Sequence, residues 1–125
     1  MNISILSARK INEYWRIKFS SQFGAASALW FGCEPTVGAS VSGELDCDQC
    51  ECSAASGSVR FSLSENEDEE KVVLICKVEA ITEDETMILR IGDDLLQCGC
   101  SSRQFSVGEW VKLQTRKLKL HDLNY

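Results

Sequence analysis

Val72-Val-Leu-Ile75-Cys-Lys-Val78-Glu-Ala-Ile81, followed by Thr82-Glu-Asp-Glu-Thr86 and Met87-Ile-Leu-Arg-Ile91, decides the fold. The first run is the most apolar in the chain, rich in β-branched residues and too short for a stable amphipathic helix, so it reads as a central strand. Met87, Leu89 and Ile91 alternate with Ile88 and Arg90, which is the period of a half-buried partner strand. Five polar residues between the two runs make a hairpin connection.

The same period extends outward from this hairpin. Trp15, Ile17 and Phe19 alternate with Arg16 and Lys18. Val41, Gly43, Leu45 and Cys47 alternate with Ser42, Glu44 and Asp46, and Val59, Phe61 and Leu63 with Arg60 and Ser62. Trp110, Val111 and Leu113, then Leu118 and Leu120, supply the last strand or strands. No stretch holds a helical stripe for three turns. A single all-β domain over residues 1–125 follows, an antiparallel Greek-key or OB-like barrel or sandwich of about six to eight strands. Two segments resist. Residues 20–35 are small and apolar up to Pro35, and read as one short helix or a packed loop at a barrel end. Residues 52–58 read as a loop.

The 125 residues carry a net charge of −6, unevenly spread. Residues 34–100 hold sixteen carboxylates against four cations, whereas residues 1–19 and 101–125 are basic. Five carboxylates fall within Glu65–Glu70, too much repulsion to pack, so this run is an exposed hairpin tip. An acidic middle repels phosphate backbones and attracts cationic partners. Candidate contacts for such a partner are Glu65, Glu67, Asp68, Glu69 and Glu70, then Glu83, Asp84 and Glu85, and finally the edge formed by Asp46, Asp48 and Glu51. No window approaches the roughly 18 apolar residues of a membrane span, and the first thirty residues lack the apolar core of a signal peptide. The expectation is a soluble cytoplasmic protein with no membrane contact and with reduced thiols, seven cysteines being an odd number.

Five of those cysteines form two clusters, Cys47-Asp-Gln-Cys50-Glu-Cys52 and Cys98-Gly-Cys100. A structural zinc site takes four thiolate or imidazole ligands from two short turns, and Cys47, Cys50, Cys98 and Cys100 are the candidate set, with Cys52 spare. The competing reading treats the thiols as small buried hydrophobes, because strand parity puts Cys47 beside Leu45 and Cys98 and Cys100 beside Leu96. Catalytic residues are expected to be none. His121 is the single histidine and nothing in the sequence sets it beside a thiol, and no phosphate loop, HExxH or GxSxG is present.

Gly38-Ala-Ser-Val-Ser-Gly-Glu-Leu-Asp46, the hairpin of residues 78–93 ending in Leu89-Arg-Ile-Gly-Asp93, Val107-Gly-Glu-Trp-Val111 and Leu118-Lys-Leu-His-Asp122 together resemble small bacterial β-barrel immunity proteins, including those of contact-dependent inhibition. The resemblance spans roughly residues 38–122 and leaves the cysteines outside its pattern. It implies a non-catalytic protein that binds and blocks one cognate basic toxin domain, a nuclease by preference. Two alternatives stand beside it. One is an OB-like nucleic-acid-binding module using Tyr14, Trp15, Arg16, Lys18 and Phe19 with Lys112, Arg116, Lys117 and Lys119, against which the net charge argues. The other is a zinc-stabilised structural module.

Overall fold

Alternating burial runs through almost every strand of the computed structural model, which describes all residues except Ser58, Ser102, Arg103 and Tyr125, with Ser101 described by its backbone alone. In chain order the strands are β1 (Asn2–Ile11), β2 (Tyr14–Ser21), β3 (Gly24–Phe31), β4 (Ser40–Cys47), β5 (Glu51–Ala54) and β6 (Ser62–Asn66). They continue as β7 (Lys71–Ile81), β8 (Thr86–Ile91), β9 (Asp94–Ser101), β10 (Trp110–Thr115) and β11 (Lys119–Asp122). The chain is all-β, and no helix occurs among the described residues, so none of them forms a helix able to cross a membrane.

Eight strands close a barrel: β1 pairs β2, β2 pairs β3, β3 touches β6, and β6, β7, β8, β9 and β4 lead back to β1. β11 lies parallel to β3 and antiparallel to β4, joining two strands that are not neighbours in that circuit. β10 pairs the opposite edge of β7, and β5 pairs β10 as the last strand of the path. Inward residues make the core, with Phe19, Leu74, Met87, Leu89, Val111, Leu113 and Leu120 at zero exposure. Burying each such side chain contributes about 1.5–3 kcal/mol.

The hairpin of β7 and β8 is where its sequence placed it, with β7 central and the turn over residues 82–85. Residues 20–35 differ from expectation. They contain β3, whose inward Ala26 and Ala28 are buried beneath β2 rather than wound into a helix or left as a loop. Within the expected loop of residues 52–58, Cys52–Ala54 belong to β5, and Ser58 lies outside the described residues. Val59 and Phe61 precede β6 instead of belonging to it. Among the described residues the strands number eleven, more than expected, because β5, β10 and β11 are added to the eight-stranded circuit.

Candidate metal centre

β5 and β9 stand at the two ends of the five-strand run β5-β10-β7-β8-β9, and no backbone pairing joins them among the described residues. Sulfur joins them instead. Leu113 pairs Cys52 across β10 and β5, turning Cys52 inward, while Cys98 on β9 is buried opposite Met87. Cys50 stands one residue before β5, and Cys100 lies where the β8–β9 register shifts between Cys98 and Ser101. The Sγ atoms of Cys50, Cys52, Cys98 and Cys100 all lie within 4.8 Å of one another. Cys50 is 2.8 Å from Cys100 and 3.2 Å from Cys98, and Cys52 is 3.6 Å from Cys98. Four thiolates at the zinc–sulfur bond length stand about 3.8 Å apart at the corners of a tetrahedron, so the cluster has the size of a metal site. This group could hold a metal ion.

The backbone around the cluster is fixed from three sides. The buried Thr115 donates its hydroxyl to the Gln49 carbonyl at 2.7 Å and accepts the Lys117 N–H at 2.9 Å, anchoring the turn that delivers Cys50. Cys100 donates its N–H to Cys98 Sγ at 3.3 Å and its thiol to the Cys50 carbonyl at 3.1 Å. Gly99, between the two β9 cysteines, lies under the Asp48 carbonyl, and a Cβ there would come within 2.1 Å of that oxygen. Hydrogen bonds from Cys50, then Cys52, and from the Cys100 N–H pull the Cys98 thiol down to about 3 against the opposing effect of burial. Cys50 is held protonated, above the ordinary thiol range, by its contacts with Cys47, Cys52 and Cys98. Cys98 is buried and its three partners are half-buried beside an open cleft of about 470 Å³ that Phe105 also lines.

The expected ligand set is corrected at one position. Cys47 lies in β4 with 1% exposure and donates to the Gln49 carbonyl at 3.5 Å, and Cys52 occupies the fourth corner. Cys47 ends β4 opposite Cys98 and its thiol touches Cys50, but its sulfur is not one of the four that lie within 4.8 Å of one another. The signal for Cys52 was the matching spacing of Cys50-Glu-Cys52 and Cys98-Gly-Cys100. Cys76 lies apart from the cluster in the core, where burial pushes its thiol up to about 12.

The expected acidic contacts do not gather on one face. Glu65–Glu70 precede β7 and Glu83–Glu85 follow it, at opposite ends of an eleven-residue strand, roughly 30 Å apart. Several are engaged by cations. Glu65 lies in β6, half-buried, taking the Ser27 hydroxyl at 3.0 Å with Arg16 at 3.9 Å, and Glu67 pairs Lys18 at 3.0 Å. Asp48 pairs Lys119, and Asp46 faces His121 at 3.7 Å. The Asp84 carboxylate accepts the Thr82 hydroxyl, which holds it below the usual carboxylate range. Asp68, Glu69, Glu70, Glu83, Glu85 and Glu51 are exposed, and Lys71, Arg116 and Lys117 share one cleft with Asp48 and Glu51. His121 stacks on Phe31 with ring centroids 5.0 Å apart.

No protein-family model, curated protein or solved structure matches this chain.

Proposed function

We propose that this chain is a zinc-stabilised, non-catalytic β-barrel binding domain in which the metal fastens β5 to β9. The observation that carries the reading is the convergence of four cysteine sulfurs within 4.8 Å between β5 and β9, which no backbone pairing joins among the described residues. Thiolates favour zinc over harder divalent ions, and a closed four-sulfur set leaves no open coordination position for chemistry, which is the pattern of structural sites. In this reading Cys50, Cys52, Cys98 and Cys100 are the ligands, and Thr115 and Gly99 position the backbone that carries them. His121, occupied by Phe31 and Asp46, takes no part.

Metal analysis of protein purified without chelator tests the reading. It expects about one zinc per chain, and less than about 0.2 would overturn it, because structural sites hold their metal tightly. A cognate basic toxin domain, blocked as an immunity protein would block it, is the second reading. The exposure of Asp68, Glu69, Glu70 and Glu83 at two hairpin ends favours it. Co-purification of a basic partner, with an association rate that falls steeply as salt rises, would support it, and recovery of no such partner would sink it.

A further inference from the structure

The outward face of β10, β7 and β8 departs from the charge of the rest of the molecule. Two of the cross-strand rows that traverse it are cationic. One runs Trp110, Lys77, Arg90 and Leu95, and the other Ser53, Lys112, Ile75 and Ser62. They contain three cations and no carboxylate, in a chain whose net charge is −6. Aromatic rings lie among the cations. Phe61 packs on Trp110 with centroids 4.8 Å apart and on Phe23 at 6.2 Å. Lys77 Nζ stands 5.7 Å from the Trp110 ring centre and the Arg90 guanidinium 5.3 Å from that of Phe61. Gly92, at φ +61, makes room for the Phe23 ring, which a Cβ would meet at 2.2 Å. The nearest acids are Glu79, which pairs Arg90 at 3.0 Å, Glu109, which accepts the Ser106 N–H at 3.0 Å, and the exposed Glu51, opposite Gln114 in the adjoining row. Leu95, at the end of the first row, is 51% exposed.

We infer that this face binds a single strand of nucleic acid, with bases stacking on Trp110 and Phe61 and phosphates meeting Lys77, Lys112 and Arg90. The chemistry is that of a stacking platform bordered by cations, which accepts any base because every base has a π-face. An acidic chain can host such a site because most of its carboxylates are placed elsewhere, at the two ends of β7 and along β4, and the rows of Lys77 and Lys112 hold none. The face is also separate from the basic residues of β2 and β11, where Arg16, Lys18 and Lys119 face carboxylates directly.

Fluorescence anisotropy of a labelled oligodeoxythymidine of about 15 nucleotides, at low salt and then at rising salt, tests the inference. Binding is expected to weaken steeply with salt and to quench tryptophan emission. Lys77→Glu and Lys112→Glu should each weaken binding about tenfold and flatten the salt dependence. Trp110→Leu should weaken it about tenfold with the salt slope unchanged, because it removes stacking and no charge. Circular dichroism and melting temperature establish that each variant folds, and Lys112→Glu, on the open face, tests the site should Trp110→Leu not fold. Lys117→Glu, outside the two rows, should bind as the parent does. Absence of binding at low salt would overturn the inference. So would equal affinity for polyglutamate together with indifference to Trp110→Leu, which would mark a general anion surface.

Discussion

Cys52 and Cys47 show what a single side chain's direction decides. Both sit close to Cys50 in sequence, yet Cys52 joins the four sulfurs that lie within 4.8 Å of one another, while Cys47, paired opposite Cys98, is sealed in the core at 1% exposure. Cys52→Ser should therefore abolish zinc binding and lower the melting temperature, whereas Cys47→Ser should keep about one zinc per chain, both read by metal analysis and calorimetry. Gly99 is the second decisive residue. With the Asp48 carbonyl over it, Gly99→Ala forces β9 and the β4–β5 turn apart, and should cost about 1–3 kcal/mol in denaturant unfolding along with metal affinity. Part of the site was legible: four of the five clustered cysteines do converge, and the burial of Cys47 follows from its parity with Leu45. The exchange of Cys52 for Cys47 was not, since a cysteine pair two apart reads equally as ligands or as small core residues. Only the meeting of two strands far apart in sequence separates the two readings.

At the scale of the element, β7 announces itself because Val72–Ile75 is an unbroken apolar run with Val72, Leu74 and Val78 inward, and the polar run after Ile81 ends it without ambiguity. β3 does not. Its inward positions are Ala26 and Ala28, which β2 packs against closely and which carry little strand preference by themselves. β5 is harder still, being four residues long with one half-buried side chain, Cys52, among exposed ones. Such a strand gains little from burial, and under the proposed zinc reading the metal would supply what its sequence lacks. Chelation of zinc should release β5 before the rest of the barrel. Amide hydrogen exchange should then accelerate in Glu51–Ala54 by an order of magnitude or more while β7 and β8 stay protected. Equal acceleration across the sheet would mean the cluster holds the whole barrel, and no change would mean that β10 alone holds β5.

At the scale of the whole molecule, the barrel class follows from many short alternating segments, but the strand order does not. Nothing in Leu118–Asp122 says that it slots between β3 and β4, because partner choice depends on complementary edges that alternation leaves unspecified. Charge behaves the same way. The composition shows an acidic middle, while the fold distributes it to opposite ends of β7, pairs part of it with Lys18, Arg16 and Lys119, and leaves an aromatic and cationic face clear. The slot filled by β11 has a further consequence, for biosynthesis. Translation delivers β11 after the ten strands before it, so a growing chain must wait with the edges of β3 and β4 apart and their apolar seam wetted. Sealing of that seam is thus a late event: chains halted after Thr115 should be cut within minutes by a protease that spares the finished barrel, and survival of such a fragment would show that the eight-stranded circuit protects itself without β11.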